Sequence, residues 1–170
     1  MPHAPSPQTL QLTLTVEVLA SEADLTPAEA RTWQAARAAT DHAYAPYSGF
    51  QVGAALLLAD GRIFPGTNQE NAAYPSGLCA ERTALFGLAA SMPAAGLIVG
   101  MAVAARPATG DFGPAWPCGA CRQVMLEYEQ RQGQLIPLLL PGPDGQIYRF
   151  ASLGDLLPFH FSPADLPPRT

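Results

Sequence analysis

Three cysteines and one glutamate are the residues whose types and spacing could do chemistry. Cys79-Ala80-Glu81 and Pro117-Cys118-Gly119-Ala120-Cys121 contain every cysteine of the 170-residue chain. Cys118 and Cys121 have the Cys-x-x-Cys spacing that lets two thiolates converge on one ion. They open a segment patterned as a helix, where free N–H groups lower a thiol pKa. Alone, the pair reads as a redox couple, half of a structural zinc site or two buried cysteines. Cys79 changes that balance, because it too stands at a helix start, so two helix N-termini can aim three thiolates at one point. A structural zinc site closes its shell with a fourth Cys or His. His3 lies in the N-terminal lead, His42 near a helix end and His160 near the C-terminus, and each reads as a surface or capping residue. Three ligands without a fourth describe an open site for one Zn2+ per chain, the arrangement catalytic zinc uses.

Glu81 supplies the rest of the chemistry. A carboxylate two residues after a ligand, in the first turn of a helix, could merely complement the helix dipole. Beside a water activated by a metal it accepts and returns protons. Zinc brings the pKa of such a water toward neutrality. Three thiolates overcompensate the metal's charge and weaken that effect, and Arg82 can restore it by donating hydrogen bonds to the sulfurs. Cys or His, any residue, Glu, then Pro-Cys-x-x-Cys is a signature of zinc-dependent deaminases.

The elements that must position these residues can be read from pattern. Apolar and polar residues alternate over 10–18, which fits a half-buried strand. Thr26 is a helix cap, Pro27 suits the first helical position and Glu29 completes a capping box, opening a helix expected to run to Ala43. "FQVGAALLLADGRIFPGTN" reads as a β-hairpin turning at Asp60-Gly61. Residues 79–92 have helical spacing, 96–105 form an apolar run suited to a strand buried on both faces, and 118–132 form another amphipathic helix. "QLIPLLL" and "GQIYRFA" are two further strands, and "SLGDLLPF" is a short closing helix. This order predicts an α/β chain: a three-layer α/β/α sandwich on a mixed sheet of about five strands. Residues 1–25 read as an N-terminal extension with a possible extra strand, and 26–170 as one domain.

Composition narrows the partners. The net charge is −5, all nine basic residues are arginine, and no basic run exists to follow a phosphate backbone, which disfavours nucleic acid. No stretch approaches the roughly 18 apolar residues of a membrane span, and "MPHAPSPQTL" lacks the marks of a signal peptide. The expectation is a cytoplasmic protein acting on a small neutral molecule.

Together, "YAPYSGFQVGAALL", "TNQENAAYPSGLCAERTALF", "PCGACRQVMLEY" and "LLPFHFSPADL" give the chain its resemblance to the small, homotetrameric, three-cysteine class of cytidine deaminases. The resemblance spans 26 to about 166. It implies hydrolytic deamination of cytidine and deoxycytidine, with Cys79, Cys118 and Cys121 holding zinc and Glu81 shuttling protons. It also implies that Asn68 and Glu70 bind the ribose hydroxyls, that Phe50 flanks the base and that the Ala80 N–H meets a ring carbonyl. Arg82 and Gln123 would donate to the thiolates, and Phe161 would enter a neighbour's site, making the pockets of a homotetramer shared. Read without the resemblance, Phe50 and Phe161 are core residues and Asn68 and Glu70 a solvated strand end. Two departures stand out: Trp116 where the family often has serine, and the alternating segment 10–18, which lies outside the usual family core. Three other readings stay open: a deaminase of another aminopyrimidine nucleoside, a polynucleotide deaminase, and a non-catalytic zinc-stabilised interaction domain.

Overall fold

The structure is a computed structural model and describes residues 8–167. The expected N-terminal lead, with His3, lies outside the described residues apart from its last position. Thr26 caps the first helix as its sequence predicts. Its hydroxyl accepts from the Glu29 N–H at 3.3 Å, and the Glu29 carboxylate accepts from the Thr26 N–H at 2.9 Å. Helix α1 (Pro27–Ala39) ends earlier than expected, because Thr40–His42 tighten into a 3-10 turn. The hairpin pairs β2 (Phe50–Leu58) with β3 (Ile63–Thr67), and Gly61 takes the positive φ of 85° that its turn requires. There follow α2 (Ala80–Ser91), β4 (Ile98–Pro107), α3 (Gly119–Gln132), β5 (Leu138–Pro141) and β6 (Ile147–Phe150). The expected closing helix is a single 3-10 turn, Leu153–Leu156.

Including β1 (Glu17–Leu19), the sheet has six strands in the order β1-β6-β5-β4-β2-β3. All pairs are antiparallel except β4 with β5. Side-chain alternation gives the two faces different fillings, with the alanines of the α1 face on β2 and β4 and the larger Leu139 and Ile147 on β5 and β6. Ala55, Ala102 and Ala104 face Trp33 and Ala36 of α1, while Leu56, Met101, Leu138 and Leu140 face α2 and α3. Small residues on the α1 side let that helix lie close, and the larger ones fill the space under two helices. The helices thus lie on both faces, giving the α/β/α layering that the element order predicts.

The expected strand over 10–18 is largely absent, but its end supplies the possible extra strand as the sixth, edge strand of the sheet. Only Glu17–Leu19 pairs, opposite Arg149, Tyr148 and Ile147. Strand β6 is four residues long, so a longer β1 would run past the backbone that could pair with it. Leu10, Leu12 and Leu14 are accordingly exposed.

Gly66 fixes how close α2 comes to the sheet. A Cβ there would lie 2.4 Å from the Ala84 nitrogen and 2.7 Å from the Ala80 carbonyl oxygen. Backbone meets backbone at this point, so the first turn of α2 is held directly against β3.

Candidate metal centre and active site

Cys79 and Cys118 occupy the same place on two helices. Each is the residue before the first helical position, with extended backbone, and neither spends its side chain on a helix cap. Their sulfurs are 3.9 Å apart. Cys121, one turn into α3, is fully buried with its sulfur 3.5 Å from that of Cys118. All three sulfurs lie within 4.8 Å of one another. Zn–S bonds of about 2.3 Å in a tetrahedron place sulfurs about 3.8 Å apart, so this donor set fits zinc. Cys79 is steadied by the stretch before it: Gln69 N–H donates to the Leu78 carbonyl at 2.8 Å, and Leu78 N–H returns the bond at 2.9 Å.

The protein groups already favour a thiolate here. The Cys121 S–H, donating to Cys79, is the largest influence on Cys79. With Arg82 and Cys118 it outweighs burial and brings the Cys79 thiol down to about 5. The same contact, first, and then burial push the Cys121 thiol up. Arg82 holds its Nη2 3.9 Å from the Cys79 sulfur, and its buried Nε has no protein partner.

Glu81 is only 4% exposed, yet it borders a cavity of about 800 Å³ together with Cys79, Cys118 and Arg82. Burial raises its pKa first, and the Cys79 thiolate adds to that. The carboxyl therefore holds a proton more readily than an exposed glutamate does. Ala80, fully buried, opens α2, where N–H groups lack intrahelical partners.

The cavity sits where β2 begins and β3 and β4 end. Phe50, Asn68, Glu70 and Trp116 also line it. Asn68 lies between the strands: its Oδ1 accepts from the Val52 N–H and its Nδ2 donates to the Phe50 carbonyl, both at 2.8 Å. Glu70 accepts from the Ser48 hydroxyl at 2.5 Å and from the Tyr47 N–H at 2.9 Å. The Ser48 hydroxyl, foremost, and the Tyr47 N–H hold its carboxyl below the usual carboxylate range. A carboxylate offers about four acceptor directions, so Glu70 keeps capacity for a ligand.

Two expected site residues lie elsewhere. Phe161 is 59% exposed and does not line this cavity, and the Gln123 amide donates at 2.8 Å to the Phe161 carbonyl. His42 and His160 likewise stand outside the cysteine cluster. Sequence reading missed Ser48 and Tyr47, which orient Glu70, and Tyr74, whose ring packs edge-on to Tyr47 at 5.8 Å beside the cavity. Their one signal was inclusion in the matching words "YAPYSGF" and "NAAYPSG". Trp116 packs its ring 5.4 Å from that of Tyr148.

Three thiols at two helix starts, with a buried protonatable carboxyl beside them, make this an α/β protein of the zinc-binding deaminase class. The family profile for the cytidine and deoxycytidylate deaminase zinc-binding region matches residues 27–135. A cytidine deaminase of Sporosarcina psychrophila is 43% identical over 128 residues, covering 75% of this chain and 87% of the relative. One from Mycobacterium tuberculosis is 40% identical over 125 residues, 74% of this chain and 83% of the relative. The crystal structure of the Burkholderia pseudomallei cytidine deaminase superposes with a TM-score of 0.66 at 44% identity, covering 77% of this chain and 97% of that one. This chain belongs to the cytidine deaminase family.

Proposed function

We propose that the chain hydrolyses cytidine and deoxycytidine to uridine and deoxyuridine, releasing ammonia. The observation that carries this reading is the burial of Glu81 beside three clustered cysteine sulfurs on the wall of an open cavity. Cys79, Cys118 and Cys121 would hold zinc, which supplies an acidified water as nucleophile when bound. Glu81 takes a proton from the attacking water and places it on N3 of the ring. It then takes the remaining proton from the hydroxyl now on C4 and hands it to the amine, so the C–N bond breaks, C4 keeps oxygen as a carbonyl and ammonia leaves. The raised pKa of its carboxyl suits both steps, because the group must hold a proton between them.

Phe50 offers a face to the base, and the Ala80 N–H a donor to the ring carbonyl. Glu70 and Asn68 meet the ribose hydroxyls through positions their internal partners leave open. Arg82, and Gln123 by resemblance, restrain the charge of the thiolates. Two supports favour pockets shared within a homotetramer: Phe161 is exposed, and it stands away from its own chain's cavity. Residues 26–170 form the enzyme domain under this reading and 1–25 an extension. The sequence's charge favours nucleosides over polynucleotides. No helix among the described residues is long and apolar enough to cross a membrane.

Ammonia release from cytidine, deoxycytidine, CMP and single-stranded DNA by zinc-loaded protein tests the reading. Turnover of both nucleosides is expected. Glu81→Gln should retain its zinc and lose roughly 10²–10⁴-fold in rate. Near-normal turnover in that variant would remove Glu81 from the chemistry. Inertness toward every substrate, with one tightly held zinc per chain, would favour a structural metal.

A further inference from the structure

Arg122 holds the peptide of one zinc ligand from both sides. Its backbone N–H donates to the Cys118 carbonyl at 3.0 Å. Its side-chain Nε donates to the Pro117 carbonyl at 2.8 Å, and Nη1 reaches the Leu156 carbonyl at 3.2 Å. Pro117 is buried whereas Cys118 is exposed. A carbonyl on a buried residue needs an internal partner, and here the partner is charged, which makes the bond stronger.

The three ligands differ in what fixes them. Cys121 is locked inside α3. Cys79 is held by the Gln69–Leu78 backbone pair and by the approach of α2 to Gly66. Cys118 follows the irregular stretch 108–117, whose last backbone bond to a strand is from the Gly113 N–H to the Ala105 carbonyl, so no reciprocal pair like Gln69–Leu78 stands directly before it. The approach to Cys118 is therefore set by what holds Pro117, while its own carbonyl is tied into α3 by the Arg122 N–H. The far end of the Arg122 fork is itself anchored. The turn Leu153–Leu156 hangs from buried Glu129, whose carboxylate accepts from Ser152 Oγ at 2.5 Å and Leu153 N–H at 2.9 Å. Glu129 also takes the Ile136 N–H at 2.8 Å, just before β5.

We propose that Arg122 is a positioning residue of the metal centre, a guanidinium fork that locks the Pro117–Cys118 peptide to the C-terminal 3-10 turn. Zinc affinity then depends on a segment 34 positions further along the chain. Arg82 works differently, pointing at a sulfur itself. The inference rests on the three-cysteine zinc centre and not on which nucleoside is deaminated.

The test is zinc affinity and zinc release rate of the full chain, read by competition with a chromophoric chelator. Arg122→Met keeps the aliphatic stem and removes the fork. Loss of an outer partner of a metal ligand weakens binding about 10–100-fold, and that loss is expected here. Arg122→Lys can serve one carbonyl but not both, so it should fall between the two, and it carries the test alone if Arg122→Met does not fold. Trp33→Leu, buried on the opposite face of the sheet, should lower the melting temperature and leave zinc affinity unchanged. Wild-type zinc affinity in both Arg122 variants would overturn the proposal. So would equal loosening of zinc by Trp33→Leu at a matched loss of thermal stability.

Discussion

Replacing Gly66 with alanine probes the contact that sets α2, and with it Cys79 and Glu81, against the sheet. The added methyl would lie 2.4 Å from the Ala84 nitrogen, 2.7 Å from its Cα and 2.7 Å from the Ala80 oxygen. Ordinary contact is about 3.5 Å, so strand and helix must part by about 1 Å. Every atom struck is backbone, and no rotamer change relieves it. Two of those atoms are the ends of one i to i+4 helix position, where the methyl acts as a wedge. Overpacking of this kind costs about 1–3 kcal/mol and a weakened hydrogen bond about 0.5–1.5 kcal/mol, together roughly 2–4 kcal/mol. In a domain of this size each kcal/mol moves the melting temperature by about 2–4 °C, so a fall of about 4–16 °C is expected. Displacing the reacting groups by about 1 Å costs about 10²-fold in kcat/KM. Circular dichroism melts and ammonia release on zinc-loaded protein measure both. Gly61→Ala is the comparison: its φ of 85° brings backbone strain, but nothing lies within 4 Å, and its activity should stay normal. A Gly66→Ala protein that melts with wild type and turns over normally would refute the close-approach argument.

Two further outcomes are expected. Burial pulls the Glu29 pKa upward, but hydrogen bonds from Thr26 and Arg149 outweigh it and hold the carboxyl below its ordinary 4.5. A carboxylate depressed on folding adds stability above its unfolded pKa and loses it as pH falls through the folded value. The unfolding free energy should therefore decline below about pH 5, and Arg149→Met should flatten that decline while lowering stability at neutral pH. Parallel declines in denaturant titrations would dismiss the linkage. Trp116 lines the cavity and is 47% exposed, whereas Trp33 is 5% exposed. Uridine should change the tryptophan fluorescence, and Trp116→Phe should abolish that change. A ligand response surviving in Trp116→Phe would place the bound nucleoside elsewhere.

What the sequence disclosed follows from the range of each signal. Thr26, Pro27 and Glu29 announced α1 because capping is settled within four residues. The cysteines announced zinc because Cys-x-x-Cys and Cys-x-Glu each lie within one helical turn. The alternating segment 10–18 misled because alternation reports which face is apolar, not whether a partner strand reaches that far. Four-residue β6 does not. The end of α1 was misplaced by the Thr40–His42 turn, where the Thr40 hydroxyl donates to the Arg37 carbonyl at 2.7 Å. The Arg122 fork and the Glu129 anchor were unreadable, since each is completed by a group far along the chain, the Leu156 carbonyl 34 positions away and the Leu153 N–H 24 positions away, and backbone groups leave no mark in the sequence. Gly66 looked like any hairpin glycine until α2 was seen resting on it.

The sulfurs of Cys79 and Cys118 meet across 39 positions of chain, so an ion held between them is a clasp on everything enclosed, including the whole of β4. Such an ion enters the folding equilibrium as well as the reaction. Above the dissociation constant, each tenfold rise in free zinc adds about 1.4 kcal/mol to the folded state, less whatever the unfolded thiols bind. The resistance of the folded chain to protease should therefore rise with free zinc. Stripped of the ion, the enclosed stretch should be cut sooner by added protease than the same stretch in zinc-loaded protein.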